Sequence, residues 1–148
     1  MKSVSKRIEP VKKVALQQEQ KAADRLHQSQ ADFQSAQAKL HELVQYRSDY
    51  LAEFQFRAQK GMSGSQLQHY KTFLSQLEKA IKAQQEQIAQ LQGRVTDNRQ
   101  QWQAQNQRSQ AVNKYQEKLK QRERNHSERQ QARVLEDDFN NLTTGSKQ

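Results

Sequence analysis

The sequence contains no cysteine, one proline and only four glycines among its 148 residues. Without cysteine the chain forms neither disulfides nor thiolate metal sites, and it has no thiol redox chemistry. The scarcity of proline and glycine leaves almost no turns. Barrels, sandwiches and doubly wound sheets are therefore excluded, because such folds need a turn about every twelve residues.

Large apolar side chains and long apolar runs are scarce as well. Hydrophobic residues make up 32% of the chain and glutamine occupies 29 positions, so there is too little bulk for a globular core. The apolar run Val14–Leu16 is far shorter than the roughly 7 to 15 residues of a signal-peptide core. No run approaches the roughly 18 apolar residues of a membrane span, so we expect no direct membrane insertion.

Glycine and serine are concentrated in residues 61–65, which predicts a turn there. Ser63 and Gln66 have the spacing of a capping box at the start of a helix, and so do the serine and glutamine two residues further on. A helix should therefore begin immediately after this turn.

Beyond the turn, large side chains recur at alternating steps of three and four residues. Eleven of the sixteen positions are apolar. The positions are Leu67, Tyr70, Leu74, Leu77, Ile81, Gln84, Ile88, Leu91, Val95, Asn98, Trp102, Gln105, Ser109, Val112, Gln116 and Leu119. A mean period of 3.5 over this length is typical of a left-handed coiled coil.

The pattern before the turn is weaker and uses two heptad positions. The first position holds Leu26, Phe33, Leu40 and Phe54, with Arg47 as an interruption. The second is predicted to hold Leu16, Ala23, Val44, Leu51 and Ala58, with glutamines between. Pro10 either sits in the first turn of this helix or, if the helix starts near Val4, bends it.

These stripes predict an all-α fold, a long left-handed antiparallel coiled-coil hairpin of two helices. The predicted segments are a single coiled coil over 1–139, with helix 1 over about 4–59, a turn over 60–65 and helix 2 over about 65–135, and a disordered tail over 140–148. With the turn centred on residue 62, the numbers of facing residues sum to about 124. Both ends of the chain would then lie at one end of a rod.

Nothing in the sequence predicts catalysis, a cofactor or a metal site. A two-helix rod offers no enclosed pocket for convergent polar groups. The four histidines are scattered, and Gln45 stands where a zinc-protease helix starting at His41 would need its second histidine ligand. The acidic run Glu136–Asp138 is typical of a solvated helix end, with a metal or partner site as the alternative. We expect a protein that is not an enzyme.

Six of the ten aromatic residues lie between residues 46 and 73, where the hairpin would bring them together near the turn. A two-stranded seam cannot bury them all. Two apolar rows would flank the seam: Leu43, Tyr46 and Tyr50 on helix 1, and Phe73, Leu77 and Ala80 on helix 2. Such rows either meet a partner or seal a wide end of the hairpin, and the sequence leaves both readings open.

Positive charge is concentrated in two stretches. The chain carries 25 basic and 16 acidic side chains, and residues 2–13 and 114–133 each contribute +4 of the resulting +9. The hairpin would bring both stretches to the tip opposite the rings, which favours electrostatic docking on an acidic partner. Nucleic acid is not expected as a partner, because only Tyr115 of the aromatic side chains that could stack on bases lies inside the basic stretches.

One set of residues carries a family resemblance, which is strongest over residues 40–102. The set is Tyr46-Arg47-Ser48-Asp49-Tyr50, Gly61-Met62-Ser63, Leu67, Tyr70, Phe73-Leu74, Leu77-Glu78-Lys79-Ala80-Ile81, Val95 and Trp102. It resembles the FliJ family, the small coiled-coil component of the bacterial flagellar type III export apparatus. The resemblance implies a stalk-like protein that docks in the ring of the export ATPase, engages the cytoplasmic domain of the export-gate membrane protein and escorts export chaperones.

The resemblance also implies locations for these contacts. The gate would bind Leu43, Tyr46, Tyr50, Phe73, Leu77 and Ala80. The ATPase would bind the basic side chains Lys6, Arg7, Lys12, Lys13, Lys118, Lys120, Arg122, Arg124 and Arg129. The protein would be cytoplasmic and peripherally associated with the inner membrane at the flagellar base. Two alternatives stay open: a stalk of a virulence type III secretion system, and a self-associating structural coiled coil.

Overall fold

A computed structural model describes residues 3–145. The helices are α1 (Val4–Arg7), α2 (Glu9–Lys60) and α3 (Gly64–Gly145), and residues 3–145 contain no strand. The long helices α2 and α3 pack against each other as an all-α helical hairpin, which confirms the predicted fold class. The left-handed supercoil stays a prediction.

The connection between α2 and α3 is tighter than the sequence predicted, since only residues 61–63 are not helical. Gly61 has a φ of 94°, in the left-handed region that favours glycine, and its N–H donates to the Ala58 carbonyl at 3.2 Å. The capping box forms at the first of its two predicted places. The Gln66 N–H donates to Ser63 Oγ at 3.1 Å, and the Ser63 N–H donates to Gln66 Oε1 at 3.3 Å.

At the other end of α2, the helix start is interrupted next to Pro10. The Ile8 N–H still donates to the Val4 carbonyl at 3.3 Å, and the Lys12 N–H donates to the Ile8 carbonyl at 3.0 Å. Pro10 has no N–H for the carbonyl four residues earlier, so the α-helical pattern is broken between α1 and α2. Pro10 therefore lies in the first turn of α2, where its missing donor is tolerated.

The end of α3 differs from the prediction. The helix continues to Gly145 instead of ending near residue 135, so residues 140–145 of the predicted disordered tail are helical. The hydroxyls of Thr143 and Thr144 donate to the carbonyls of Phe139 and Asn140 at 2.6 and 2.9 Å, which satisfies both hydroxyls within the helix. The remainder of that tail, residues 146–148, lies outside the described residues.

Packing divides the chain into two compact units, Ala22–Trp102 and Met1–Lys21 with Gln103–Gln148. The α3 stripe predicted from the sequence is correct throughout, since all of its sixteen positions are buried or half-buried. Within the unit Ala22–Trp102, the buried apolar side chains are Ala22, Leu26, Ala36, Tyr70, Leu77, Ile81 and Leu91. The predicted pairing, in which the numbers of facing residues sum to about 124, is confirmed in this unit. Phe54 packs against Tyr70, and Arg47 pairs with Glu78.

The second heptad position of α2 was predicted one residue out of phase. The buried residues at this position are small, namely Ala15, Ala22, Ser29 and Ala36, whereas Leu16 is 49% exposed. Leucine and valine are more hydrophobic than alanine and serine. The prediction followed these larger side chains and therefore assigned the wrong face of α2 to the seam. Small side chains at a helix contact allow the two helix axes to approach closely.

The unit formed by the first 21 residues and residues 103–148 relies on polar contacts. Gln116 is 2% exposed, and its Nε2 donates to the Ser5 carbonyl at 3.1 Å and to the Glu9 carboxylate. Further along, Asn106 Nδ2 donates to Glu19 Oε1 at 2.8 Å. A buried amide is stable only where its hydrogen-bonding groups find partners. These contacts therefore fix the register of the short N-terminal segment along α3.

Candidate interaction surfaces

Five rings contributed by α2 and α3 form one cluster, which we call the aromatic cluster: Tyr46, Tyr50, Phe54, Tyr70 and Phe73. Tyr50 lies at its centre, with ring centroids 4.6 Å from Phe73 and 5.0 Å from Tyr70. The Tyr46 ring meets the Phe73 ring edge-on at 6.0 Å. The Tyr46–Phe73 pair has the edge-to-face geometry that aromatic pairs prefer, and the other ring pairs of the cluster are tilted. Each ring therefore restrains its neighbours.

The members of the aromatic cluster differ in exposure. Tyr70 is buried and Tyr50 is half-buried, whereas Tyr46 is 51% exposed. Removal from water raises the pKa of the Tyr50 phenol, and the neighbouring phenols of Tyr70 and Tyr46 raise this pKa further. The rings therefore close the seam beneath Tyr46 and leave Tyr46 itself at the surface.

The two predicted flanking rows do not lie wholly beside the seam. Leu77 is only 6% exposed, and Leu43 and Tyr50 occupy seam positions of α2, so these three side chains belong to the packed interface. The predicted positions at the surface are Tyr46, half-buried Phe73 and exposed Ala80. The one-residue phase error on α2 explains the difference for Leu43 and Tyr50, because it moved them from the seam to its edge. Leu77 was also one of the predicted seam positions of α3.

A groove of roughly 730 Å³ lies between α2 and α3 next to these residues. It is lined by Leu43 and Ala80 of the predicted set, by the small side chains of Ala36 and Ala83, and by polar and charged groups at its rim. Across the seam, Gln84 Nε2 donates to the Ala36 carbonyl at 2.9 Å, which keeps that amide satisfied inside the groove. The groove forms because alanine side chains at facing positions leave space between the two helices. The spacing of these alanines along the sequence is a signal for the groove, and the sequence prediction did not use it.

The predicted basic docking residues all belong to the unit formed by Met1–Lys21 and Gln103–Gln148. Lys12 is half-buried and the others are exposed. Ser5 and Glu123 join the two stretches that carry them, through two hydrogen bonds of 3.0 and 2.7 Å. The structure thus brings both basic stretches together on one unit, with their cationic groups in water.

Among the described residues there is no group of three or more histidine, aspartate or glutamate side chains placed to hold a metal ion. Within the same range, every helix is too polar for its length to be a candidate for crossing a bilayer.

The chain matches the protein-family model described as flagellar FliJ protein over residues 5–146. The chain belongs to the flagellar FliJ family. Neither the curated proteins nor the solved structures contain a match to it. The match covers nearly the whole chain, so the helical hairpin is that of a flagellar export-related coiled-coil protein. The FliJ family as a whole is a non-enzymatic component of the export machinery.

Proposed function

We propose that this FliJ-family chain links components of the flagellar type III export apparatus, and that it binds the cytoplasmic domain of the export-gate membrane protein at Tyr46, Phe73 and Ala80. The observation that carries the proposal is the half-exposed Tyr46 ring, held edge-on against Phe73. An aromatic side chain that is already oriented loses little conformational freedom when a partner covers it. Such rings are frequent anchors of protein interfaces.

The groove beside Tyr46 supports the same assignment. Its floor of Leu43 and alanine side chains suits an apolar side chain of the partner, and Lys39, Asp32 and Arg94 at its rim offer polar contacts. Tyr50 and Leu77, which belong to the packed interface between the helices, act differently. They position Tyr46 and Phe73 from beneath and make no direct contact with the gate.

The second proposed contact is electrostatic. The exposed basic side chains of α1, α2 and α3 in the unit Met1–Lys21 with Gln103–Gln148 dock on the export ATPase ring, with long-range attraction to acidic groups accelerating encounter. The chain also binds export chaperones while it links the export gate to the ATPase. The protein acts in the cytoplasm, peripherally associated with the inner membrane at the flagellar base. The family match to flagellar FliJ favours this over a virulence-system stalk.

Titration of the purified cytoplasmic gate domain into the full chain by calorimetry tests the gate assignment. Tyr46→Ala and Phe73→Ala should each weaken binding by about 1 kcal/mol or more, because each removes part of the oriented anchor. The matched control is Phe56→Ala, since Phe56 is an aromatic residue of α2 that is 59% exposed and lies outside the aromatic cluster.

Circular dichroism should show the same helicity for all three variants. Equal gate affinity for Tyr46→Ala, Phe73→Ala and the unmodified chain would refute the gate assignment. A loss with Phe56→Ala as large as that with Tyr46→Ala would refute the specificity of the surface.

A further inference from the structure

The last part of α3 is exposed along its described length. Glu123 is the last residue of α3 that is not exposed, and every residue from 124 to 145 is exposed. Four large apolar side chains are exposed in this segment, Val134, Leu135, Phe139 and Leu142, at 58, 69, 67 and 74%. The last three, spaced by four and three residues, lie within about 60° of one another on the helix surface, whereas Val134 lies at least about 80° away from each of them. We call these three residues the C-terminal apolar row.

The C-terminal apolar row cannot continue the intramolecular seam. Phe139 follows the buried seam residue Leu119 by 20 positions, which at 100° per residue puts it about 160° away around the helix. The positions that would extend the seam beyond Glu123 are polar, among them Gln130 and Asp137. The row thus lies on the face of α3 opposite the face that packs on the N-terminal segment, and within the described residues 3–145 it stays exposed.

Acidic side chains border the C-terminal apolar row on both edges. Glu136 lies roughly 90° to one side of the row's centre and Asp138 roughly 70° to the other. Glu128 lies in line with the row, two turns before Leu135. Residues 134–145 contain no lysine or arginine. The row is therefore an apolar strip bordered by acidic side chains, on a unit whose other charges are mainly positive.

We propose that the C-terminal apolar row is a docking site for an amphipathic helix of another protein, one with basic side chains on both edges of its apolar face. Apolar residues at steps of three and four are how one helix recognises another. Lysine or arginine on the partner's edges would lie beside Glu136 and Asp138, which gives orientation and selectivity.

The acidic side chains beside the row argue against two other occupants, a second copy of this chain and a membrane surface. In a pair formed with a second copy of this chain, each acidic edge would lie beside another acidic edge, in either helix direction, and like charges at these positions are destabilising. An anionic membrane surface attracts amphipathic helices with basic edges and would repel this row.

Fluorescence anisotropy with two designed peptides tests the proposal on the full chain. Both peptides carry the same leucine row at helical spacing, one with lysine on both edges and the other with glutamate. The lysine-edged peptide should bind at least about tenfold more tightly, and its affinity should fall as salt is raised. Equal affinities, or no saturable binding of the lysine-edged peptide at a few hundred micromolar, would overturn the proposal.

The chain offers matched control variants for both parts of the site. The double variant Glu136→Gln and Asp138→Asn should weaken the lysine-edged peptide about fivefold. Asp137→Asn, which lies on the opposite face, should change affinity less than about twofold. Leu135→Ser should weaken binding more than about tenfold, whereas Val134→Ser, adjacent but outside the row, should have little effect. All of these positions are exposed, so helicity should be unchanged.

Two further outcomes would assign the row to another occupant. Sedimentation could reveal dimers that disappear with Leu135→Ser, which would make the row a self-association surface. Flotation with phosphatidylglycerol vesicles could show binding that Leu135→Ser abolishes, which would make the row a lipid contact. Either result would overturn the proposal of a basic helical partner.

Discussion

Glu123 accepts two hydrogen bonds from Ser5, one from the backbone N–H at 3.0 Å and one from the hydroxyl at 2.7 Å. Ser5 is 4% exposed, and its carbonyl accepts a third bond from the Gln116 amide. One residue of the short helix α1 is thus tied to α3 through its N–H, its carbonyl and its hydroxyl. This attachment holds the first residues of the described chain on α3, beside exposed Lys6 and Arg7.

The Ser5 attachment should depend on pH. The hydrogen bonds from the Ser5 hydroxyl and N–H lower the pKa of Glu123 below its ordinary value of 4.5. A lowered pKa in the folded state means that the contribution to stability is complete above the ordinary value and is lost as the pH falls through the folded-state pKa. Hydrogen-exchange protection of the Ser5 amide should therefore decrease as the pH is lowered below about 4.5.

The control for this titration is Glu117→Gln, at an exposed position of the same helix, which should leave the pH dependence intact. Glu123→Gln should remove it. Protection of the Ser5 amide that is independent of pH in the unmodified chain would show that the Glu123 carboxylate does not hold α1.

The capping box at the start of α3 gives a prediction about stability. Ser63→Ala should lower the free energy of unfolding by about 1 kcal/mol, because the Gln66 N–H loses its partner. Ser65→Ala, at an exposed position inside the helix, should have a much smaller effect. Thermal unfolding followed by circular dichroism measures both. A larger loss with Ser65→Ala would place the functioning cap at the second of the two boxes.

The small residues on α2 give another prediction. Ala22 is 1% exposed against α3, so Ala22→Leu should destabilise the hairpin by about 1 to 3 kcal/mol through overpacking. Ala31→Leu, at an exposed position of the same helix, should change stability by less than about 0.5 kcal/mol. Denaturant unfolding of the two variants compares them directly. Equal stabilities would mean that the helices do not approach closely at Ala22.

The fold could be predicted where large side chains lie at the contact. On α3, the steps of three and four from Leu67 to Leu119 identified every buried position of the seam, because leucine, isoleucine and aromatic residues dominate that stripe. The turn was equally readable, since Gly61 and Ser63 have backbone requirements that few residues meet. Both signals are local, and neither depends on the partner helix.

The candidate site could be predicted only in part, for a physical reason. The α2 contact uses Ala15, Ala22, Ser29 and Ala36, whose burial follows from close helix approach and leaves little trace in hydrophobicity. The phase of α2 was therefore misjudged, and the groove beside Ala36 was missed. Five of the six rings predicted to come together do so around Tyr50, whereas Phe56 stays outside the cluster and 59% exposed. Which ring of the cluster stays exposed depends on the three-dimensional packing at Tyr46 and Phe73.

The proposed ATPase contact predicts a dependence on salt. Replacing Arg122, Arg124 and Arg129 together with glutamine should weaken binding to the purified export ATPase at low ionic strength and have less effect near 1 M salt, where the Debye length is about 3 Å. A matched triple variant of Lys71, Lys79 and Lys82, which are exposed on the other unit, should bind normally. A loss of affinity that is independent of salt would indicate apolar packing in place of electrostatic docking.

The most direct test of the account is a crosslink from the exposed ring to the gate. A photoreactive phenylalanine analogue is placed at position 46, at position 80 or at position 56, and the full chain is irradiated with the cytoplasmic gate domain. Positions 46 and 80 should crosslink to the gate, and position 56 should not, although residue 56 is also an exposed aromatic. Crosslinking at position 56 with none at 46 and 80 would contradict the proposed gate-binding surface.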